Sequence, residues 1–254
     1  DPAELLSPPE ATAEEVEVLR AELGLDKPVL VQYVNYMWDI LHGDFGVSWF
    51  TKQPVIDEIV NRMPYTLSLG VLSTLIASII SIPLGTLTAV KHNTPADYIV
   101  TFLCLLFAAM PGFWLAIILQ IYLSLQTGWF PAYGMGTMRH FVLPVIAVCA
   151  ASVATNIRST RTWVLDVIRS DYVRTARAKG ASEVVVIMKH ALRNALLPIV
   201  TGFGSAFAGV LGGSVVIETV FAIPGISTYL TSAVKTQDMP IIMGCILVIY
   251  VFLR

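Results

Sequence analysis

An all-α integral membrane protein is the fold class this sequence predicts, and three observations carry it. Hydrophobic residues make up 56% of the 254 and charged ones 13%, about half the charged share of soluble domains. Long stretches hold no Asp, Glu, Lys or Arg at all. Half of the sixteen Lys and Arg are crowded between positions 158 and 193. Hydrocarbon offers no partners to the backbone, so each uncharged stretch must satisfy its own amides and carbonyls as a helix.

Residues 1–65 read as an extramembrane helical segment. Thr12 and Glu15 have capping-box spacing, and Gly24 closes the helix they open. A second amphipathic stretch, "PVLVQYVNYMWDILHGD", follows from Pro28 and stops near Gly43. With twelve acidic residues against four basic ones, this region is a solvated face and not a nucleic-acid surface.

The expected spans are 66–90, 98–126 with an interruption at Pro111–Gly112, 140–157 closing on Arg158 and Arg161, 196–217, and 240–254. The fourth is rich in small residues, among them Gly202, Gly204, Ser205, Gly209 and Gly213, which allow close helix contact. The chain begins at Asp1 without methionine and stops at Arg254 inside an apolar run. A further span before Asp1 is therefore expected, giving about five spans here and six in the complete protein. Cys104, Cys149 and Cys245 all fall in apolar stretches and read as buried packing residues, not disulfide partners.

Orientation follows from basic residues in short loops. The stretch 158–195 holds eight of them, whereas 127–139 and 218–239 hold one each, Arg139 and Lys235. Segments 91–97 and 158–195 are thus expected in the cytoplasm, with 1–65, 127–139 and 218–239 outside. Within 158–195, Ser170 or Asp171 can cap a short helix, "YVRTARAK", and Gly180 sits where a helix closes in the left-handed conformation. Ser182 and Glu183 open a second short helix. Asn194 is the expected N-cap of the membrane helix, with Pro198 in its first turn. The product is a rigid helix–turn–helix suited to docking against a partner.

"YVRTARAKGAS…HALRNALLP" resembles the cytoplasmic loop of permease subunits of binding-protein-dependent ATP-binding-cassette (ABC) importers. Ala176, Gly180, Leu197 and Pro198 match that family's small-residue, glycine and Leu-Pro positions. The acidic residue that opens the motif in many relatives is replaced by Arg174–Thr175, as is typical of the dipeptide, oligopeptide and nickel branch. "GDFGVSW" (43–49), "MPGFWLAIIL" (110–119) and "ETVFAIPGIS" (218–227) resemble the same branch.

The resemblance implies the type I importer fold, six transmembrane helices when complete, and a cytoplasmic coupling helix that sits in a cleft of an ATPase. Tyr172, Arg174, Thr175, Ala176, Arg177, Lys179, Gly180, Ala181 and Ser182 would meet that ATPase, with Arg193, Asn194, Leu197 and Pro198 ending the motif. It further implies a multi-pass protein of the bacterial inner membrane. The partners would be a second homologous permease, two ATP-binding-cassette ATPase subunits, an extracytoplasmic substrate-binding protein and membrane lipid, with no nucleic acid. The cargo would be di- or oligopeptide, or alternatively nickel or a metal chelate. ATP and Mg would be bound by the partner ATPases, leaving no cofactor in this chain.

The residues themselves exclude several chemistries. No G-x-x-x-x-G-K-[ST] phosphate loop, G-x-S-x-G or H-E-x-x-H motif occurs. His42, His92, His140 and His190 show no metal-ligand spacing, and no metal or catalytic residue is expected. The spans carry no ionisable side chain of the kind an ion-coupled carrier acting alone would need; that carrier is the rival reading. Thr201, Ser205, Gly209 and Glu218 are the pathway candidates. Gln120 and Asn156 are expected to be interhelical hydrogen-bond partners. The segment after Glu218, with its Pro-Gly turn at 224–225, is expected to dip back into the outer vestibule and, with residues 1–65, to receive a binding protein.

Overall fold

The computed structural model describes residues 2–252. They form helices, with one isolated bridge, Val47 to Pro54, and divide into two compact units. One comprises Asp1–Asn61 with Leu230–Val248, the other Arg62–Tyr229 with Ile249–Arg254.

In the first unit α1 is Pro2–Leu6 and α2 is Ala13–Glu22. The capping box forms as expected: the Thr12 amide donates to Glu15 Oε2 at 2.8 Å, and the Glu15 amide to Thr12 Oγ1 at 3.3 Å. Gly24, at φ 67°, closes α2. There the Gly24 amide donates to the Ala21 carbonyl and the Leu25 amide to that of Arg20, the paired bonds of a Schellman turn. The same pair ends α3 (Val29–Leu41), from Gly43 to Ile40 and from Asp44 to Asp39.

A tight loop over 43–54 follows and is pinned by Asp238, at the N-terminus of α13 (Met239–Phe252). Ser48 Oγ donates to Asp238 Oδ2 at 2.6 Å, and both residues are buried. Phe45 packs over Gly244, where an added Cβ would come within 3.4 Å of its ring and 2.9 Å of Val55. The expected last span, 240–254, coincides with α13 as far as Phe252; its final two residues, like Asp1, lie outside the described ones.

Helix α4 runs Val55–Val90, 36 residues, and so starts well before Thr66; Pro64 and Pro83 lie inside it without ending it. In the second unit α5 (Pro95–Ala109) breaks into α6 (Gly112–Leu119), which widens into a π-helical stretch, Gln120–Gln126. The two halves meet at 91°. Met110 is extended (ψ 122°), as the residue before a proline prefers, and Pro111 brings no amide to continue α5.

Helix α7, Arg139–Ile168, does not stop at Arg158 as expected. Its continuation packs: Thr160 and Val164 are fully buried, the latter with Ala89, Ala195 and Ile199. Helices α8 (Asp171–Ala178), α9 (Glu183–Val185), α10 (Arg193–Gly213), α11 (Val215–Val220) and α12 (Ile226–Thr236) complete the chain. The membrane helix expected to start at Asn194 does not start there. A π-helical stretch, Val186–Leu192, joins α9 to α10 into one helix over Glu183–Gly213. Asn194 is accordingly no N-cap; its Nδ2 donates to the His190 carbonyl at 2.6 Å. Pro198 lies in the interior of α10.

Among the described residues, α4, α7 and the 183–213 helix are long and apolar enough to cross a membrane, and the bent α5–α6 pair can make a fourth crossing. Close approach depends on glycine. A Cβ at Gly85 of α4 would lie 2.6 Å from Thr160 Cβ and 2.8 Å from the Ile157 carbonyl of α7, and one at Gly202 of α10 would run into the Trp163 ring. A Cβ at Gly204 or Gly209 would meet nothing within 4 Å.

Gly85→Ala is therefore expected to cost about 1–3 kcal/mol by overpacking and to lower the unfolding temperature in detergent. Gly204→Ala should leave it unchanged or raise it, since alanine is the better helix former by about 1 kcal/mol. A stable Gly85→Ala protein would contradict the α4–α7 contact.

Candidate functional site

The motif expected in the cytoplasm folds into a hairpin at the end of α7. Ser170 occupies the N-cap position of α8 but makes no side-chain cap; its hydroxyl donates back to the Val167 carbonyl at 2.6 Å. Asp171, in the first turn, adds favourable charge there. Gly180 adopts φ 80°, and its amide bonds the Arg177 carbonyl while that of Ala181 bonds Ala176. This is a third Schellman turn, and a residue with a Cβ is strained at that φ.

Beneath the turn Val173, Ala176 and Val186 form a small buried cluster with Val167 and Ala181 packed on it. Arg177 closes the hairpin across the turn, with Nη2 2.7 Å from Glu183 Oε1 and Nε 3.1 Å from Oε2. That bidentate pair lowers the Glu183 pKa and raises that of Arg177 through the hydrogen bonds between them.

The structure thus sorts the expected contact residues. Tyr172, Arg174, Thr175, Lys179, Gly180 and Ser182 are exposed on the hairpin. Ala176 is buried and holds the hairpin's own core, with Ala181 half-buried against it. Arg177 is exposed but committed to Glu183. Of the motif's end, Arg193, Asn194 and Leu197 are exposed and Pro198 half-buried.

At the start of α5 a second charged group braces α7. Arg161 Nε donates to Asp97 Oδ1 and its Nη2 to Oδ2, both at 2.8 Å, and the Asn93 amide donates to Oδ2 at 3.0 Å. The Arg161 hydrogen bonds hold the Asp97 pKa down at about 2, against an opposing contribution from burial.

The pathway candidates separate as well. Thr201 and Ser205 are exposed on α10, each hydroxyl donating to the carbonyl four residues earlier. Gly209 lines a groove of about 390 Å³ between α7 and α10, opposite Ser152, Thr155 and Asn156. Glu218 lines nothing open: it is fully buried. Its Oε1 accepts from Thr66 Oγ1 at 2.8 Å and Ser214 Oγ at 2.9 Å, and its Oε2 from the Thr228 amide at 3.1 Å. A side chain at Gly225 would collide with this carboxyl.

Glu218 is a brace for the segment that follows it. In that segment Phe221 and Ile223 pack with Leu69, Ala116 and Leu143 in the core. Gln120 is a hydrogen-bond partner, donating to the Ala132 and Val220 carbonyls, whereas Asn156 Nδ2 is buried without one. The Asp97–Arg161 and Thr66–Glu218 pairs went unread in the sequence. Their residues lie 64 and 152 positions apart, and no local pattern links them.

Because the folded-state pKa of Asp97 is depressed from 3.8, its contribution to stability is present above about pH 4 and lost as pH falls towards 2. That contribution is on the order of 2 kcal/mol. Unfolding of the detergent-solubilised protein should show this acid-labile component, and Asp97→Asn should abolish it; an unchanged acid profile in Asp97→Asn would refute the clamp.

Residues 81–253 match the family described as "Binding-protein-dependent transport system inner membrane component", and residues 1–70 match its N-terminal region. The glutathione transport system permease protein GsiC of Escherichia coli (strain K12) is 40% identical over 247 residues, covering 97% of this chain and 81% of the relative. A putative peptide transport system permease protein of Brucella suis biovar 1 (strain 1330) is 39% identical with the same coverage.

Among solved structures, the inward-facing MetNI methionine ABC transporter superposes with a TM-score of 0.63 at 16% identity, over 76% of this chain and 90% of that one. An amino acid ABC transporter with histidines gives 0.58 at 15%, over 78% and 88%. These two carry the fold. The chain belongs to the binding-protein-dependent transport system inner membrane components, as a multi-pass permease of a bacterial inner-membrane ABC importer with the type I importer fold.

Proposed function

We propose that this permease forms, with a second permease subunit, the pathway by which a peptide crosses the membrane, and that the hairpin around Gly180 receives the driving motion from an ATPase. Glutathione and peptide transport are what the names of its 39–40% identical relatives carry, and a short peptide is the cargo class they support. No observation favours the nickel or metal-chelate alternative.

In this reading an extracytoplasmic binding protein delivers the peptide. Two partner ATPases bind ATP and Mg, and their closure draws the paired hairpins together and opens the outward side. Hydrolysis and product release reverse the motion. Tyr172, Arg174, Thr175, Lys179 and Ser182 form the surface offered to the ATPase; Ala176, Gly180, Ala181 and the Arg177–Glu183 pair keep that surface in shape. The single observation that carries the proposal is this exposed, internally braced hairpin at the end of an unbroken α7.

The test is a set of Gly180 variants in the complete transporter reconstituted into vesicles. Gly180→Val must hold φ near 80° at a cost of about 1–2 kcal/mol; ATP hydrolysis should persist while uptake per ATP falls. Gly180→Asn, which tolerates the left-handed region, should retain most uptake. Normal uptake by Gly180→Val would overturn the proposal, as would uptake by this chain alone under an ion gradient, the behaviour of a secondary carrier.

A further inference from the structure

Helix α3 faces the wrong way for a helix in water. Its polar residues Gln32, Asn35 and Asp39 form one narrow stripe at i, i+3 and i+7. On the side away from that stripe Leu30, Val34, Trp38 and Leu41 are 74, 57, 63 and 76% exposed. No residue of α3 is buried, and no charge occurs between Lys27 and Asp39. Helix α2, just before it, carries Glu14, Glu15, Glu17 and Glu22 in ten residues and is an ordinary water-facing helix by contrast.

Within the same unit, the position of α3 along the last span can be read from its tether. The Schellman turn at Gly43 ends α3, and Phe45, four residues beyond Leu41, packs over Gly244. Gly244 lies five residues into α13, about 7–8 Å along the helix from its first residue. Asp238 and Pro240, at the head of α13, meet Ser48 and Gly46. The C-terminal end of α3 is therefore tied, through Phe45 and Ser48, to the first half of α13, the segment read as the last span.

We propose that α3 lies in the lipid headgroup region of the membrane, with Leu30, Val34, Trp38 and Leu41 inserted among the upper acyl chains. An exposed apolar stripe carrying an aromatic residue, opposite a polar stripe and at a span's end, suits this interface. With no Lys or Arg in α3, the attachment depends on apolar area and not on anionic headgroups. The occupant is lipid; a protein partner is the outcome that would exclude it.

The complete transporter in bilayer nanodiscs supplies the test. Val34→Cys and, separately, Leu41→Cys are labelled with a nitroxide; the native cysteines are buried. Collisions with oxygen should exceed those with a water-soluble nickel chelate several-fold, as for a label at Ile246→Cys on α13, while Glu14→Cys on α2 shows the reverse. Exchanging zwitterionic for anionic lipid should leave the ratio unchanged. Chelate access equal to that at Glu14→Cys would overturn the proposal. So would a label shielded from both reagents, which would mean that a protein covers α3, with or without the binding protein present.

Discussion

The hairpin is joined to α7 on one side and to the 183–213 helix on the other, and the close contact of α7 with its neighbours, that helix among them, is the constraint on which the rest depends. A 30-residue helix carries a displacement along its length only if its sides are held. Gly85 lets the Ile157 carbonyl and Thr160 approach α4, Gly202 lets the Trp163 ring lie against α10, and Arg161 is clamped to Asp97 at the head of α5. Three neighbouring helices are thus gripped within about two turns of α7. The grip is made of shape and one ion pair, because lipid supplies no hydrophobic driving force between apolar helices.

Two buried acids show how the same chain handles polar groups. Asp238 is met by the Ser48 hydroxyl in one unit; in the other, Glu218 is met by Thr66, Ser214 and Thr228. An unpaired buried acid would be costly, so each specifies one arrangement of segments lying far apart in sequence. Glu218 fixes the turn that carries Phe221 and Ile223 into the core, and Asp238 fixes the "GDFGVSW" loop against the head of α13. Two of the segments that marked the family are thereby explained as parts of braces.

Local chemistry was legible where one residue decides a turn. The Thr12–Glu15 box, the left-handed glycines at 24, 43 and 180, and the break at Pro111 all follow from rules spanning a few residues. Reading failed where continuity depended on packing. Arg158 and Arg161 looked like the end of a span, yet Thr160 and Val164 are buried on the next turn and carry α7 onward. Asn194 and Pro198 looked like a helix start, but the π-helical stretch before them connects what a capping rule would separate. Ala176, matched to the family's small-residue position, is buried in the hairpin's own core, a packing role that the match alone did not give.

The right-angled break between α5 and α6 has a cost in carbonyls. At Pro111 the missing amide and the extended Met110 leave the last carbonyls of α5 without their usual helical partners. Fifteen residues from its start, a helix has risen about 22 Å, still short of crossing a hydrocarbon layer of about 30 Å. Oxygen atoms freed at that depth are tolerated only against protein or in a hydrated recess. The kink is consequently a place that bare acyl chains cannot cover, and it must face protein or a polar recess.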